Sequence, residues 1–290
     1  MIRKSCYLAR KLMSVQRVIS KDAIGVVGAS ICVLMLGIAL LAPHIAPYNP
    51  LAADMKIRLV APCAAHVMGT DELGRDVLSR VIYGSRISLL VSISVVSIAF
   101  LAGVLLGAVS GFFGGWVDNL IMRVTDVFLA FPALMLAMVV AFAFGPGIRS
   151  TVLAMSVVWW PWYARLVRAS ALSIREHTFV EAARATGVSR GGILFRHILP
   201  NCLASSLVQA TLDMGYAILT TATLSFLGLG AQPPTPEWGS MINQSRSYLL
   251  VAWWTITFPG IGIFITVLGI NLLGDAVRDF MDPKLRHVRN

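Results

Sequence analysis

The side chain with the clearest capacity for chemistry is Asp213, the one acid in the middle of the apolar run 203–230. A carboxylate at membrane depth costs about 2.5–3.5 kcal/mol, so we expect it to face protein or water. Gln209 lies one helical turn away on the same side. Asp213 can contact a cationic group of a solute, such as an amino terminus or a chelated metal. It can equally be a protonated or hydrogen-bonded residue that packs helices, and the sequence leaves both open.

An aromatic cluster, Trp159-Trp-Pro-Trp-Tyr163, lies in a second apolar run, 150–167. Aromatic residues of this kind usually anchor a helix at the membrane interface. The alternative is that Pro161 kinks the helix toward a path for solute, with Trp160 or Trp162 lining it.

Motifs for bond chemistry are missing from the sequence. It contains no G-x-x-x-x-G-K-[ST] phosphate loop, no His-Glu-x-x-His, no G-x-S-x-G and no G-x-G-x-x-G. Its four cysteines form no Cys-x-x-Cys pair, so neither a disulfide framework nor a metal site is predicted. An intramembrane enzyme would need a second polar catalytic residue at membrane depth facing Asp213, and none is found. We therefore expect no catalytic residues, no metal and no cofactor bound by this chain.

Composition indicates a membrane protein. Of 290 residues, 57% are hydrophobic and 13% are charged, against about 25% charged in soluble domains. The net charge of +10 does not indicate nucleic-acid binding, because the charges cluster at the ends of apolar runs.

Hydrophobic runs predict an all-α protein with six transmembrane helices, at about 23–42, 87–109, 125–144, 150–167, 203–230 and 254–273. A basic segment, 1–22, precedes them, and the transmembrane domain is 23–290. Pro132 predicts a kink or a delayed start in the third span, and Gly103-x-x-x-Gly107 predicts a helix-packing face in the second. With both termini in the cytoplasm, most Lys and Arg residues fall on the inner side, as the positive-inside rule requires. The polar segment 43–86 is then outside and the loop 173–201 is cytoplasmic.

The cytoplasmic loop predicts two short helices joined at a glycine. Thr178 can cap the first helix, with Glu181 in the capping-box position. Gly187 can take the left-handed conformation that ends this helix, and Ser189 can cap the second, which Pro200 ends.

Each helix of the loop has an apolar side: Phe179, Val180 and Ala183 on the first, and Ile193, Leu194 and Ile198 on the second. Basic residues surround them. Two such short helices cannot bury an apolar stripe alone, so we expect a groove on another protein to cover it.

The loop resembles the EAA loop of bacterial ABC-importer permeases. The resemblance rests on Glu181-Ala182-Ala183, on Gly187, and on Leu199-Pro200, and it departs where His197 replaces the usual aliphatic residue. In that family the loop docks into the ATPase subunit, which implies an ATPase-coupling role for Glu181, Ala182, Ala183, Gly187, Leu199 and Pro200.

Three further stretches are similar to the dipeptide, oligopeptide and nickel permeases, in particular to their C-type subunit. They are Gly69-Thr70-Asp71-x-x-Gly74-Arg75-Asp76, the string 225–239, and the tail 274–286. By spacing alone, Asp71 with Arg75 and Asp76 with Arg80 could also pair on an amphipathic helix. In the family the first two stretches lie outside, near the docking site of the binding protein, which implies contacts at Thr70, Asp71, Gly74, Arg75, Pro233, Pro234 and Trp238.

The resemblance implies a type I ABC-importer permease fold in the bacterial inner membrane. It also implies a second permease chain forming a heterodimer, two cytoplasmic ATPase subunits that use ATP and Mg²⁺, and an extracytoplasmic substrate-binding protein. Short peptides are the expected cargo, with nickel or a metal chelate as the alternative. A transporter driven by an ion gradient, with Asp213 as its titrating group, is the alternative from a different class.

Overall fold

A computed structural model describes residues 23–281. The basic segment 1–22 and the chain from 282 onward lie outside the described residues. The described chain is helical, without an extended strand. Its helices are α1 (Ala23–Ile45), α2 (Val77–Phe113), α3 (Gly115–Leu129), α4 (Ala133–Phe144), α5 (Ile148–Arg175), α6 (Thr178–Ala185), α7 (Arg190–Ile193), α8 (Leu199–Phe226), α9 (Trp238–Ser245) and α10 (Trp254–Met281).

Within the described range, four helical stretches are long and apolar enough to cross a membrane: α1, α2, the continuous stretch Arg190–Phe226, and α10. A fifth is possible if α3 and α4 form one broken span. The all-α membrane fold is confirmed, whereas the count of six is not. The remaining predicted span, 150–167, falls inside α5, which is not among these stretches.

The third predicted span is broken. Helices α3 and α4 meet at an angle of 92°, and α4 begins directly after Pro132. A proline has no N–H to continue a helix but fits its start, so the delayed start predicted for this span is present. Residues 110–123, which fall between the second and third predicted spans, complete α2 and form most of α3.

Helices α2 and α5 form the centre of the bundle. A Cβ on Gly103 would lie 2.5 Å from the Trp160 carbonyl oxygen, and one on Gly107 would lie 2.9 Å from Val167 Cβ. Small residues allow this close approach, so the packing face predicted from Gly103-x-x-x-Gly107 is confirmed. The backbone of α5 is thereby held directly against α2.

Helix α2 starts ten residues before the predicted span, at Val77, and its first turns support a folded cap. The cap comprises residues 46–76 and α9. Trp238 at the start of α9 is fully buried, packs on Gly84, and donates its indole N–H to Val81 O at 3.0 Å. The cap and the α6–α7 hairpin lie at opposite ends of α2, because the hairpin packs near Phe112.

Candidate functional site

The hairpin (residues 178–200) has the predicted turn between its helices. Gly187 has a φ of +79°, and Ser189 Oγ caps α7 by accepting a backbone N–H at 3.2 Å. The predicted first cap is wrong. Thr178 is already helical and His177 holds the cap position without a side-chain hydrogen bond, because the His177 carbonyl accepts the N–H of Glu181 at 3.3 Å.

Pro200 does not end the second helix of the hairpin. It lies in the first turn of α8, and α7 runs into α8 through a π-helical turn, Leu194–Ile198. The π-helical turn, in which the Leu199 N–H donates to Leu194 O, shifts the backbone hydrogen bonds just before Pro200, so the helix continues past a residue that has no N–H to donate. The hairpin and the long helix α8 therefore form one continuous rod.

The apolar side of the hairpin is buried within this chain except at Phe179, which is 43% exposed; this corrects the expectation that another protein covers the whole stripe. Val180, Ala183, Ile193, Leu194 and Ile198 pack in one cluster with side chains of α2 and α5. Sequence periodicity shows that a stripe must be covered but not by which neighbour. The stripe fastens the hairpin to the bundle.

A different surface of the hairpin is exposed. Phe195 is 59% exposed, and Glu181 and Ala182 are also exposed. The ring of Phe179 lies 5.6 Å from that of His177 and 6.4 Å from that of His197. This aromatic row joins the two helices on the side that faces away from the bundle.

The six residues predicted for ATPase coupling therefore divide by position. Glu181, Ala182, Gly187 and Pro200 are exposed, whereas Ala183 is buried and Leu199 is half-buried. Ala183 can act only by holding the hairpin in place, while Glu181 and Ala182 are free to contact a partner.

A cavity of about 410 Å³ lies between α5 and α8. Asp213, Gln209 and Trp162, three of the four residues predicted for a translocation path, line it together. Gln209 Nε2 donates to Asp213 Oδ1 at 2.9 Å. Trp160 is not among the lining residues; its ring packs 5.7 Å from that of Phe128.

Three aromatic lining residues were missed in the sequence, Trp159, Tyr163 and Tyr216, together with the apolar Ala133 and Leu166. Their spacing contained a signal, because Trp159, Trp162 and Tyr163 share one helical face by their i, i+3, i+4 positions. Tyr216 follows Asp213 by three residues, so the same i, i+3 spacing places both on one face of α8. Trp160 is one residue out of this register, which is why it points elsewhere.

Ion pairs fasten α3 to α5 at the hairpin end of the bundle. Arg168 contacts both oxygens of Asp118, through Nε at 2.5 Å and Nη2 at 2.6 Å, and Ser110 Oγ donates to the same carboxylate. Such a bidentate pair is stronger and more directional than a single contact. A second pair joins Arg165 to Asp126 at 2.6 Å, with both side chains exposed.

The predicted docking residues at the cap are mostly buried. Thr70, Asp71, Gly74 and Arg75 are all buried, which corrects the expectation that these side chains face a binding protein. They build the cap, in which Arg75 Nε contacts Asp71 Oδ2 at 2.6 Å.

The helical pairing of these charges is also wrong. Residues 71–76 form a turn, Asp76 caps α2 and contacts His66 Nδ1 at 2.9 Å, and Arg80 contacts Asp71 at 3.3 Å. Spacing alone could not reveal this, because the chain reverses at Gly74, whose φ is +72°.

The second predicted docking stretch, 225–239, is exposed at some positions and buried at others. Pro233 and Pro234 are exposed, whereas Trp238 is fully buried. Beside it, Glu237 caps α9 by accepting the N–H groups of Gly239 and Ser240. Burial raises the pKa of Glu237 above its usual range.

These features define a helical membrane-transport protein with a cavity between its central helices and a rigid hairpin at one end. A family model described as "Binding-protein-dependent transport system inner membrane component" matches residues 103–287. The chain belongs to this family, and it is an inner-membrane permease component of the ABC-importer type.

Relatives of known name support the assignment. The chain is 48% identical to the probable D,D-dipeptide transport system permease protein DdpC of Escherichia coli K12, over 89% of this chain and 87% of the relative. It is 49% identical to the dipeptide permease DppC of the same organism, over 90% and 89%. It is also 43% identical to the glutathione permease GsiD of Pectobacterium atrosepticum, over 92% and 89%.

A solved structure supports the fold. A chain of the MetNI methionine ABC transporter, in an inward-facing conformation, matches with a TM-score of 0.56 and 18% identity. The match covers 70% of this chain and 96% of that chain. The type I ABC-importer permease fold is thus confirmed.

Proposed function

We propose that this chain is a permease subunit of an ATP-driven importer of short peptides. The names of relatives that are 43–49% identical support the peptide cargo. The hairpin with its free outer surface supports the coupling to an ATPase. In this proposal a second, different permease chain completes the path. Two cytoplasmic ATPase subunits supply the energy, and ATP and Mg²⁺ bind to them and not to this chain.

The hairpin serves as the coupling element. Its exposed residues Glu181, Ala182 and Phe179 contact the ATPase, while Val180 and Ile198 hold it to α2 and α5. When ATP closes the ATPases, the hairpin moves with them as a rigid body. The attached helices rock between inward- and outward-facing states. The coupling is mechanical, through shape and packing.

The continuous rod gives this motion a route to the cavity. Helix α8 begins at Leu199 in the hairpin and carries Gln209 and Asp213 along its length. A displacement of the hairpin therefore shifts one wall of the cavity relative to α5. The cavity is this chain's share of the translocation path.

At the other end, the binding protein docks on the cap, which contains most of the predicted outer segment 43–86, and on the adjoining stretch 225–237 that leads into α9. The buried charges at Asp71 and Arg75 keep the cap rigid, and the exposed Pro233 and Pro234 belong to its contact surface. The buried docking residues of the cap therefore support the contact surface and do not themselves contact the binding protein.

The test is reconstitution of the complete transporter in liposomes, with radiolabelled dialanine as cargo. Uptake that requires the binding protein, the ATPases and ATP is the expected result. Uptake without ATPases, driven by an ion gradient, would favour the alternative class. Uptake of a nickel chelate in place of dialanine would leave the coupling scheme intact and replace the cargo.

A further inference from the structure

The cavity between α5 and α8 has a composition that selects among solutes. Its polar lining consists of Asp213, Gln209 and the hydroxyl groups of Tyr163 and Tyr216, and it contains no Lys or Arg. Asp213 lies near the middle of α8, where a carboxylate facing lipid would be costly. The cavity is thus a place where a cation is stabilised and a carboxylate is repelled.

The hydroxyl of Tyr163 lies close to the Asp213 carboxylate but makes no hydrogen bond of normal geometry to it. The residue is 1% exposed, and its oxygen is the one buried side-chain polar atom in the described range that lacks a hydrogen-bond partner. The same residue lines the cavity beside Asp213. The O–H can turn to the neighbouring Asp213 carboxylate, so the Tyr163 oxygen remains available to accept a hydrogen bond from a ligand that also contacts Asp213.

Aromatic faces complete the lining. Trp159 and Tyr216 stack with ring centroids 5.4 Å apart. Trp162 and Tyr216 remain 59% and 56% exposed. These rings lie near the middle of their helices, away from the ends where interfacial aromatic residues are found. Their faces can stabilise a cation through the ring quadrupole.

We propose that this cavity binds the protonated amino terminus of a peptide in transit. An ammonium group has three N–H donors, and three of the cavity's acceptors can receive them: the Asp213 carboxylate, Gln209 Oε1 and the Tyr163 oxygen. The Gln209 amide nitrogen is already turned to Asp213, which leaves its oxygen free for the ligand. This inference rests on the proposed function, and it adds the chemical group that the path recognises.

An ammonium group fits better than a metal ion. The described residues contain no group of three or more His, Cys, Asp or Glu side chains placed to hold a metal. One carboxylate surrounded by aromatic rings is the arrangement that favours an organic cation. Binding is expected to be weak, since a solute in a transport path must also leave it.

The experiment uses the complete permease–ATPase assembly in lipid nanodiscs without the binding protein, so that the binding protein cannot select the peptide. Equilibrium dialysis compares radiolabelled dialanine with N-acetyl-dialanine, which lacks the ammonium group. We expect the acetylated peptide to bind at least about tenfold more weakly, the size expected for losing a hydrogen bond to a charged group. Equal binding of the two peptides, or no dialanine binding at any soluble concentration, would overturn the inference.

Variants assign the preference to this cavity. Asp213→Asn keeps the shape and should reduce dialanine binding to the level of the acetylated peptide. Tyr163→Phe keeps the ring, which packs 5.7 Å from Phe100, and should weaken dialanine binding several-fold. The matched control is Asp275→Asn, an exposed carboxylate near the end of α10, which should bind like the wild type. A tenfold preference retained in Asp213→Asn would place the ammonium site elsewhere.

Uptake measurements separate this inference from the proposed function. If the wild-type transporter imports dialanine with ATP but binds both peptides equally, the ammonium site is wrong and the importer stands. If the wild-type transporter imports no peptide with ATP, the proposed function falls and this inference falls with it.

Discussion

Substitution of Gly187 tests how the hairpin transmits force. Gly187 has a φ of +79°, a conformation that L-residues rarely adopt. A Cβ placed there would meet no atom within 4 Å. Gly187→Leu therefore introduces backbone strain without a clash inside this chain. Backbone strain and steric clash, which usually accompany a glycine substitution together, are therefore separated at this position.

The expected strain is about 1–2 kcal/mol for a left-handed non-glycine residue. The chain can relieve it by rotating residue 187, but that breaks the turn in which the N–H of Val188 donates to Ala183 O at 3.1 Å. A change of this size lowers the ratio of closed to open hairpin by a factor of about 5–30. Insertion into the membrane should be unaffected, because the spans do not depend on this turn.

The assay is the ratio of dialanine imported to ATP hydrolysed in proteoliposomes. Gly187→Leu should lower this ratio while ATP hydrolysis continues. Gly187→Asn should have a smaller effect, because asparagine tolerates the left-handed conformation. Gly191→Leu is the matched control: it adds the same side chain to the same hairpin, in open space and at a helical position.

Two outcomes would refute this reasoning. A normal ratio for Gly187→Leu would show that the turn is not needed for coupling. A loss of coupling in Gly191→Leu as large as in Gly187→Leu would show that bulk at the docking surface, and not backbone strain, is responsible.

Three further predictions concern the cap and the helix packing. Asp71→Ala should lower the yield of assembled transporter, because it removes the carboxylate that contacts the buried Arg75 at 2.6 Å and the buried Arg80 at 3.3 Å, and breaking a buried pair costs about 3–5 kcal/mol; size-exclusion chromatography measures the yield. Gly103→Leu should destabilise the bundle by at least about 1–3 kcal/mol, because its Cβ would press on α5 near Tyr163; the melting temperature reports it. Burial raises the pKa of Glu237 in the folded protein, so the protonated carboxyl stabilises the fold. This stabilisation is fully present below the ordinary glutamate pKa and is lost as the pH rises through the raised pKa. The melting temperature measured against pH reports the loss.

Each of these has a control on the same chain. Leu73→Ala changes an exposed cap residue and should leave assembly intact; equal losses for it and Asp71→Ala would contradict the buried-charge argument. Gly37→Leu adds a side chain where no atom lies within 4 Å, so it should not lower the melting temperature as Gly103→Leu does. Glu237→Gln should flatten the pH dependence, and an unchanged profile would assign it to another group.

Local sequence was sufficient where the determining forces are local. The turn at Gly187 and the cap at Ser189 depend on a few neighbouring atoms, so residue type and spacing predicted both. The delayed start after Pro132 follows from the missing N–H of proline, and the glycines of α2 permit close packing whatever the partner is. The membrane class followed from composition, because it reflects the solvent around the whole chain.

Other features depended on contacts that are distant in sequence. The sequence showed that the hairpin has an apolar stripe, but only the packed structure places Val180 and Ile198 against α2 and α5 of the same chain. Pro200 was expected to stop a helix, yet the π turn before it carries the chain on into α8. The charges of the cap pair through a chain reversal at Gly74 and not along a helix.

The cavity shows the same division. The sequence alone determined that one carboxylate, Asp213, must be sheltered from lipid, because burying a lone charge in hydrocarbon is unfavourable in any fold. Only the tertiary structure decided which residues shelter it: Trp159 and Tyr163 in place of Trp160, joined by Tyr216. A rotation of one residue about a helix axis changes the face by about 100°, and only the packing of α5 on α2 fixes that rotation.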